Sequence, residues 1–401
     1  MKILMVNKFL YPKGGAETYV FKLGEILKNN GHEVQYFGME DERNIVGNDL
    51  NLFVSQMDLH SISLNHLKSP LSIISNKEAE LKIVRVLEKF QPNIVHLNNI
   101  QFYITPSILL GIEQYKRRSH KKVRVVYTAH DYQLICPSHG LFDTNIKPCE
   151  LCLHYDYWNC FKTKCLKNSR AMSLIGTLDA FHWLKSPAYS YIDTIICPSA
   201  FLKKKLDIQK RFARKTVTLR NFVDEVADKD VSKENYILEF GKLCTEKGTY
   251  TLLEAVKRLP DLKFVFAGYG EAEEEIKRIP NAEFVGFKTG DELEMLVRKA
   301  SLSVYPSEWY ENCPFSVIES QMYRTPVIGA NIGGIPELID VGKTGELFEP
   351  RNAQDLIKKI RYLTEDKDRL MKYTENCKNV HFETEDSYYQ KLMQIYGEKQ
   401  R

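Results

Sequence analysis

No apolar run in this 401-residue chain approaches the roughly 18–20 residues that a membrane-crossing helix needs, so the sequence offers no spanning segment. No secretory leader is expected either. The opening Lys2-Ile3-Leu4-Met5-Val6 is too short for a signal core and reads as a first strand, and the expected location is cytoplasmic. Nor is there a large excess of one charge. Lys and Arg total 56 against 52 Asp and Glu, a formal +4 that is too mild to imply a nucleic-acid partner. Two local clusters depart from this balance, Lys116-Arg117-Arg118 and Lys203-Lys204-Lys205. They suit contact with an anionic membrane face, or simply a soluble surface.

What the chain does contain is enough apolar residue, 43%, to fill sizeable cores in two or three domains. Short β-rich runs alternate with helical ones twice over, first from Lys2 to about Leu219 and again from Tyr236 to about Tyr362. The first series predicts strands near Lys2–Val6, Glu33–Phe37, Ile94–Leu97, Val123–Thr128 and Thr194–Cys197, with a helix running from Gly15 to a Gly31 cap. In the second series the strands fall near Tyr236–Phe240, Lys263–Ala267, Glu283–Val285, Leu302–Tyr305 and Val327–Gly329. Residues 221–235 are polar and aperiodic and make a natural hinge. The expected class is α/β, two doubly wound Rossmann-like domains whose ligands bind beyond the strand C-termini, in the cleft where the halves face each other. The expected boundaries are 1–220 with an insertion at about 134–170, then 221–380, then a last amphipathic helix in 381–401 carrying Tyr388, Tyr389, Leu392, Ile395 and Tyr396.

Between two strands of the second half lies Glu311-Asn312-Cys313-Pro314-Phe315-Ser316-Val317-Ile318-Glu319. Pro314 suits a first helical turn, which leaves the N–H groups of Phe315, Ser316 and Val317 unpaired at a helix N-terminus, where dipole and donors favour a pyrophosphate. Glu311 before the helix and Glu319 within it can accept hydroxyls of a ligand anchored there, although two glutamates so spaced also suit a solvated helix face. Together with Pro306-Ser307, Pro326-Val327-Ile328 and Gly333-Gly334-Ile335-Pro336-Glu337-Leu338, this segment resembles the two-glutamate motif of the retaining glycosyltransferases of family 4, and the resemblance runs over nearly the whole chain. It implies the GT-B fold, with the last helix crossing back to the first domain. It also implies that Glu311 contacts the transferred sugar and Glu319 the nucleotide ribose. One departure is the Cys313-Pro314-Phe315 sequence, where the family often has a Phe-Gly pair.

The resemblance gives roles to several more residues. Gly241-Lys242 after a strand and Lys247-Gly248 at the next helix resemble the family's two cationic ligands of the diphosphate, with Lys242 where arginine is frequent; in isolation they read as ordinary surface lysines. Gly268, in Gly268-Tyr269-Gly270, resembles the family's strand-end turn, and Gly286 leaves room for the base. In the first half, Gly14-Gly15-Ala16-Glu17 resembles the family's glycine pair, and Gly15 permits close backbone approach to phosphate and acceptor. His130, just past a strand and followed by Asp131, stands where the family has a histidine touching the donor sugar. His96 is similarly placed but less specific.

Glycosyltransferases of another fold hold a divalent ion on an Asp-any-Asp pair. Here Asp228-Lys229-Asp230 sits in the hinge and Asp366-Lys367-Asp368 in a charged helix, and neither follows a buried strand. No catalytic cofactor is expected, because lysines and helix amides supply the charge. Five of nine cysteines crowd the insertion. Cys149 and Cys152 make a chelating turn that Cys160 and Cys165 would complete as a structural zinc site, with Cys136 or His154 as substitutes; free thiols or a redox pair are the alternatives.

The reading is a retaining glycosyltransferase with a nucleoside diphosphate sugar donor. The resemblance makes a saccharide, above all a lipid-linked one at the inner face of a bacterial plasma membrane, the expected acceptor. A nucleotide-sugar epimerase shares the two-lobed fold but has no acceptor. A phosphorylase would be much longer and carry a lysine for pyridoxal phosphate. A non-catalytic cysteine-rich interaction module would have no use for the paired glutamates and lysines.

Overall fold

A computed structural model describes residues 1–56, 73–224, 229 and 231–397. In the first half the elements run β1 (Lys2–Val6), α1 (Gly15–Asn29), β2 (Glu33–Phe37), α2 (Lys77–Phe90), β3 (Ile94–Leu97), α3 (Ser107–Ser119) and β4 (Arg124–Thr128). After β4 come the insertion with α4 (Trp158–Thr163), then α5 (Arg170–Lys185), β5 (Thr194–Cys197), α6 (Ala200–Asp207) and β6 (Thr216–Thr218). The six strands pair in the order β2-β1-β3-β4-β5-β6, and every recorded pairing is parallel. Parallel strands are joined by helices that cover both faces, which is why Ile3, Leu4, Met5 and Val6 are all fully buried rather than alternating.

A short strand β7 (Phe222–Val223) leads into the second half. Its elements are β8 (Glu234–Lys242), α7 (Thr249–Lys257), β9 (Phe264–Tyr269), α8 (Glu273–Ile276), β10 (Ala282–Gly286), α9 (Gly290–Lys299), β11 (Ala300–Tyr305), α10 (Phe315–Met322), β12 (Val327–Ala330), β13 (Gly345–Phe348), α11 (Ala353–Thr364) and α12 (Lys367–Asn376). Here too the sheet is parallel, in the order β10-β9-β8-β11-β12-β13. The two sheets are the expected doubly wound pair. Strands β6 and β13, which complete them, escaped the sequence reading: Thr216-Val217-Thr218 is short and Gly345-Glu346-Leu347-Phe348 opens on glycine.

The chain then passes through β14 (Glu383–Thr384), which pairs with β7, into α13 (Glu385–Tyr396). Tyr388, Leu392, Met393 and Tyr396 are buried with Ile3, Met5, Tyr19 and Val126 in one core, so the last helix is part of the first half's hydrophobic interior. Burial of this kind stabilises by roughly 2 kcal/mol per large apolar side chain. Polar contacts set its register. Tyr388 and Tyr19 share a hydroxyl–hydroxyl bond of 2.6 Å, and His96 bridges Tyr396 (Nδ1, 2.6 Å) and Thr128 (Nε2, 2.7 Å). His96 is fully buried and therefore structural rather than a cleft residue.

Of the two Asp-any-Asp patterns, Asp366 caps α12 by accepting from the Arg369 amide at 2.9 Å. Asp228 and Asp230 of the other lie outside the described residues. Among the described residues no helix is long and apolar enough to cross a membrane.

Candidate active site in the cleft

Strand β11 ends at Tyr305, and the loop from Pro306 to Pro314 carries the chain to α10 across the mouth of the second sheet. The glycine pair beyond β12 holds this loop. Gly334 donates its amide to the Glu311 carbonyl (2.7 Å), and a Cβ there would lie 1.8 Å from the Asn312 carbonyl oxygen; at Gly333, with φ +63°, a Cβ would come within 2.4 Å of the Glu311 carbonyl. Only glycine lets the two backbones meet so closely.

Glu311 itself is 9% exposed, and its Oε1 is crowded with donors. The Lys247 ammonium and the Trp309 indole N–H both reach it at 2.5 Å, and the Tyr305 and Ser307 hydroxyls at 3.1 Å. With one oxygen committed to the protein, Oε2 is the one able to accept from a ligand. Burial alone would pull the Lys247 ammonium down, but the Glu311 carboxylate and the Tyr305 hydroxyl outweigh it and hold the group above the ordinary lysine value. Lys247 is therefore cationic at all physiological pH.

Pro314 is the N-cap of α10 rather than part of its first turn. Phe315 and Ser316 line the cleft with first-turn amides that have no helix carbonyl to bond. Val317 does not join them: its amide turns to the Pro314 carbonyl (3.3 Å) and its side chain is fully buried. The cap residue closes one extra turn, which is why the expected set of three donors is two. Glu319, one helical turn further on, lines an adjoining cavity of about 270 Å³ with Gly15, Tyr19, Lys22, Asp224 and Phe315. Burial raises its carboxyl above the usual range, Lys22 lowers it and Asp224 adds to the rise.

A second cavity, about 440 Å³, lies between the halves. Gly15, Tyr19, His130, Asp131 and His139 come to it from the first half, and Lys247, Tyr305, Trp309, Glu311 and Asn312 from the second. The N-terminus of α1 opens on this space, and a Cβ on Gly15 would meet no atom within 4 Å. His130 Nε2 pairs with the Asn98 Oδ1 at 2.9 Å, and the Asn98 amide in turn donates to the Val6 carbonyl (3.3 Å), which fixes its orientation and puts the imidazole proton on Nε2. Burial first, and the Lys8 ammonium second, bring His130 down to about 3, so it is a neutral hydrogen-bonding group. Asp131 is moved the other way, to about 6, mainly by burial. The pH dependence of kcat/KM should then show an acid limb near pH 6 that Asp131→Asn removes, while His130→Gln lowers the whole profile without shifting it. A limb near 6.5 that vanishes with His130 would contradict this assignment.

The other glycines lie at the C-terminal ends of β8, β9 and β10. Gly241, with φ +127°, sits against the Ser316 hydroxyl, and Gly268 packs so near that a Cβ would be 1.8 Å from the Gly241 carbonyl oxygen. Gly286 makes a turn with φ +73° and open space beside it. The two lysines do not converge as expected. Lys247 is inside, whereas Lys242 is half exposed and paired with Glu246 at 3.5 Å, because that acid lies one turn away and competes for it.

The cysteines depart further from expectation. Among the described residues no three His, Cys, Asp or Glu side chains are arranged to hold a metal ion. Cys165 donates its thiol to Cys160, Sγ to Sγ 2.8 Å, and Cys152 is buried beside them in an apolar cluster with Tyr157; Cys136 pairs with the Ser138 hydroxyl (3.2 Å), and Cys149 is only half-buried. The arrangement of Cys149, Cys152, Cys160 and Cys165, with or without Cys136, thus gives no support to the tetrahedral zinc set read from their spacing. Packing against Tyr157 and Phe181 uses their apolar character instead.

What the insertion does instead is reach across the cleft. Phe142 packs on Trp309 (5.6 Å between rings), Glu150 accepts from the Tyr310 hydroxyl (2.7 Å) and the Lys205 ammonium (2.5 Å), and Arg351 donates to the Ile146 carbonyl (2.6 Å) while pairing with Glu308 (3.1 Å). Asn312 adds a bond to the His130 carbonyl (2.7 Å), and Glu337 accepts from the amides of Ala200 and Phe201, capping α6 of the opposite half. Trp309, Tyr305 and Ser307 were missed in the sequence, although all three stand within six residues of Glu311.

Residues 13–226 match the family model described as Glycosyltransferase Family 4, and residues 224–380 match that described as Glycosyl transferases group 1. A sulfoquinovosyl transferase of Arabidopsis thaliana is 28% identical over 216 residues, 47% of this chain and 42% of the plant protein, so the chain spans less than half of that relative. An uncharacterized 42.6 kDa protein in a cps region of Klebsiella pneumoniae is 23% identical over 360 residues, 84% of this chain and 87% of its own. The crystal structure of HepE from Anabaena in complex with UDP shares the fold, with a TM-score of 0.68 over the whole of both chains at 16% identity.

Proposed function

Because the chain belongs to glycosyltransferase family 4, we propose that it transfers a sugar, with retention of anomeric configuration, from a nucleoside diphosphate donor to a hydroxyl of a lipid-linked saccharide during synthesis of a surface polysaccharide. The observation that carries this is the grouping of Glu311, Lys247 and the first-turn amides of α10 on one wall of the cavity, opposite Gly15 and His130. The diphosphate lies at the N-terminus of α10, neutralised by Lys247 and the Phe315 and Ser316 amides, with Lys242 swinging in from its exposed position. The sugar hydroxyls meet Glu311 Oε2 and His130. The ribose reaches Glu319. Two buried amide oxygens, Asn312 Oδ1 and Asn221 Oδ1, border the cavity without a donor, which suits a ligand rich in hydroxyl groups. In the reaction the anomeric C–O bond to the diphosphate breaks, the acceptor oxygen bonds to the same face, and the acceptor proton passes to the departing phosphate oxygen. Relatives in a cps region and a fold-mate seen with UDP support this choice of acceptor and donor class.

Thermal denaturation with a panel of nucleotide sugars tests the donor half. Binding to the native state at a hundredfold excess over Kd stabilises by about 2.7 kcal/mol, so one nucleotide class should raise Tm clearly and Glu319→Ala should cancel most of the rise. A panel without any effect, free nucleoside diphosphates included, would remove the donor assignment.

A further inference from the structure

We infer that the insertion and α5 form a docking surface for an anionic lipid bilayer; its purpose rests on the lipid-linked acceptor proposed above, its evidence does not. The residues of α5 that face solvent are Arg170, Ala171, Leu174, Leu178, His182 and Lys185. At about 100° per residue they fall within one arc of about 120°. Two leucines thus occupy the middle of the solvent face of a helix whose other side is buried through Ser173, Gly176, Thr177 and Trp183. Leu174 is 37% and Leu178 45% exposed, and Trp158, at 46%, lies with its ring 5.9 Å from Phe181 at the edge of the same stripe. Leu151, 55% exposed, is tied in by the bond from the Asn159 amide to its carbonyl (3.1 Å). A soluble domain has no reason to collect a tryptophan and two leucines on one face, with a third exposed leucine in the same insertion.

The charges around the patch identify its occupant. Lys162, Lys167, Arg170 and Lys185 are exposed, and none is in an ion pair with a described residue. Between Leu151 and Lys185 the acids are Asp156 and Asp179, the latter turned inward to the Trp183 indole (3.0 Å), while Glu150 just before them is paired with Lys205. An apolar stripe with a tryptophan and uncompensated cations matches the layering of a leaflet, acyl chains beneath anionic headgroups. Two copies of the face would instead repel each other. The basic clusters conspicuous in the sequence are partly engaged within the fold: Lys205 with Glu150, Lys203 with Asp207, and Arg117 with Glu113. Position agrees as well, since Glu150, next to Leu151, bonds Tyr310 at the cavity wall. A saccharide carried on a lipid would enter the cleft from beside the patch.

The test is co-sedimentation of the full chain with vesicles of phosphatidylcholine alone or mixed in equal parts with phosphatidylglycerol. Wild type should sediment with the mixed vesicles and much less with the neutral ones. Leu174→Gln with Leu178→Gln, and separately Lys162→Glu with Lys167→Glu, should each weaken binding at least about tenfold, with the donor-induced Tm rise unchanged as a check on folding. Wild type that stays in solution with anionic vesicles overturns the proposal, as do variants that sediment like wild type. A dimer that Leu178→Gln dissociates, with no vesicle binding, assigns the stripe to a second copy instead. Failure of the glycosyltransferase reading would remove the Tm response and leave sedimentation intact.

Discussion

Lys247→Ala is expected to lower turnover about a hundredfold, the scale on which loss of one preorganised charge acts at a transition state. Two consequences combine. On the proposed reading the diphosphate loses its buried cation, and Glu311, buried and bonded to that ammonium at 2.5 Å, is left without its partner. Lys247→Arg separates them: a guanidinium keeps the charge and should recover much of the rate. With the neutralisation assigned, as proposed, to Lys247 and the α10 amides, turnover should persist in excess chelator. An alanine variant of normal activity, or wild type silenced by chelation with its fold intact, would show that the charge comes from elsewhere.

Equally large is the expected effect of Glu311→Gln, which should reduce kcat by roughly a hundredfold with little change in the donor KM, because a contact to the migrating sugar tightens as charge develops there. Glu319→Gln should do the opposite and mainly raise the donor KM, since the ribose is held equally before and during reaction. Trp309→Phe tests how Glu311 is aimed. The indole that holds Oε1 is itself fixed by Phe142 of the insertion, so losing its N–H should lower kcat in the same sense as Glu311→Gln, but less. Initial-rate kinetics over a donor series decides; identical changes in both constants for both glutamate variants would erase the division of roles.

Much of this was legible in the residues. Strands such as Ile94–Leu97 announce themselves because parallel strands are covered on both faces and become unbroken apolar runs. Gly333-Gly334 and the paired glutamates mark the loop because backbone contact and helix-end chemistry restrict residue type. Where the outcome depended on side chains choosing among neighbours, sequence was silent. Lys242 and Lys247 look alike in the chain, but one has Glu246 a turn away and the other faces Glu311 across 64 positions. Cysteine spacing says which thiols can approach, not that Cys152, Cys160 and Cys165 pack in an apolar cluster with Tyr157 and Phe181. Trp309 draws no notice as one aromatic among many; its meaning comes from the oxygen at the end of its N–H.

The position of α13 bears on how the chain is made. The face of the first sheet that carries Ile3, Met5, Val126 and Ile196 is closed by Tyr388, Leu392, Met393 and Tyr396. A ribosome releases the strands of that sheet, through Thr218, long before the residues that cover them. At about 5–20 residues per second the interval is on the order of ten to thirty seconds. Throughout it that face of the nascent first half is covered by α1 but lacks its second cover, and the second half is made before that cover arrives. Synthesis therefore sets a vulnerable period in which holdase chaperones have a natural client, and a premature stop anywhere before Glu385 leaves that face without its second cover for good.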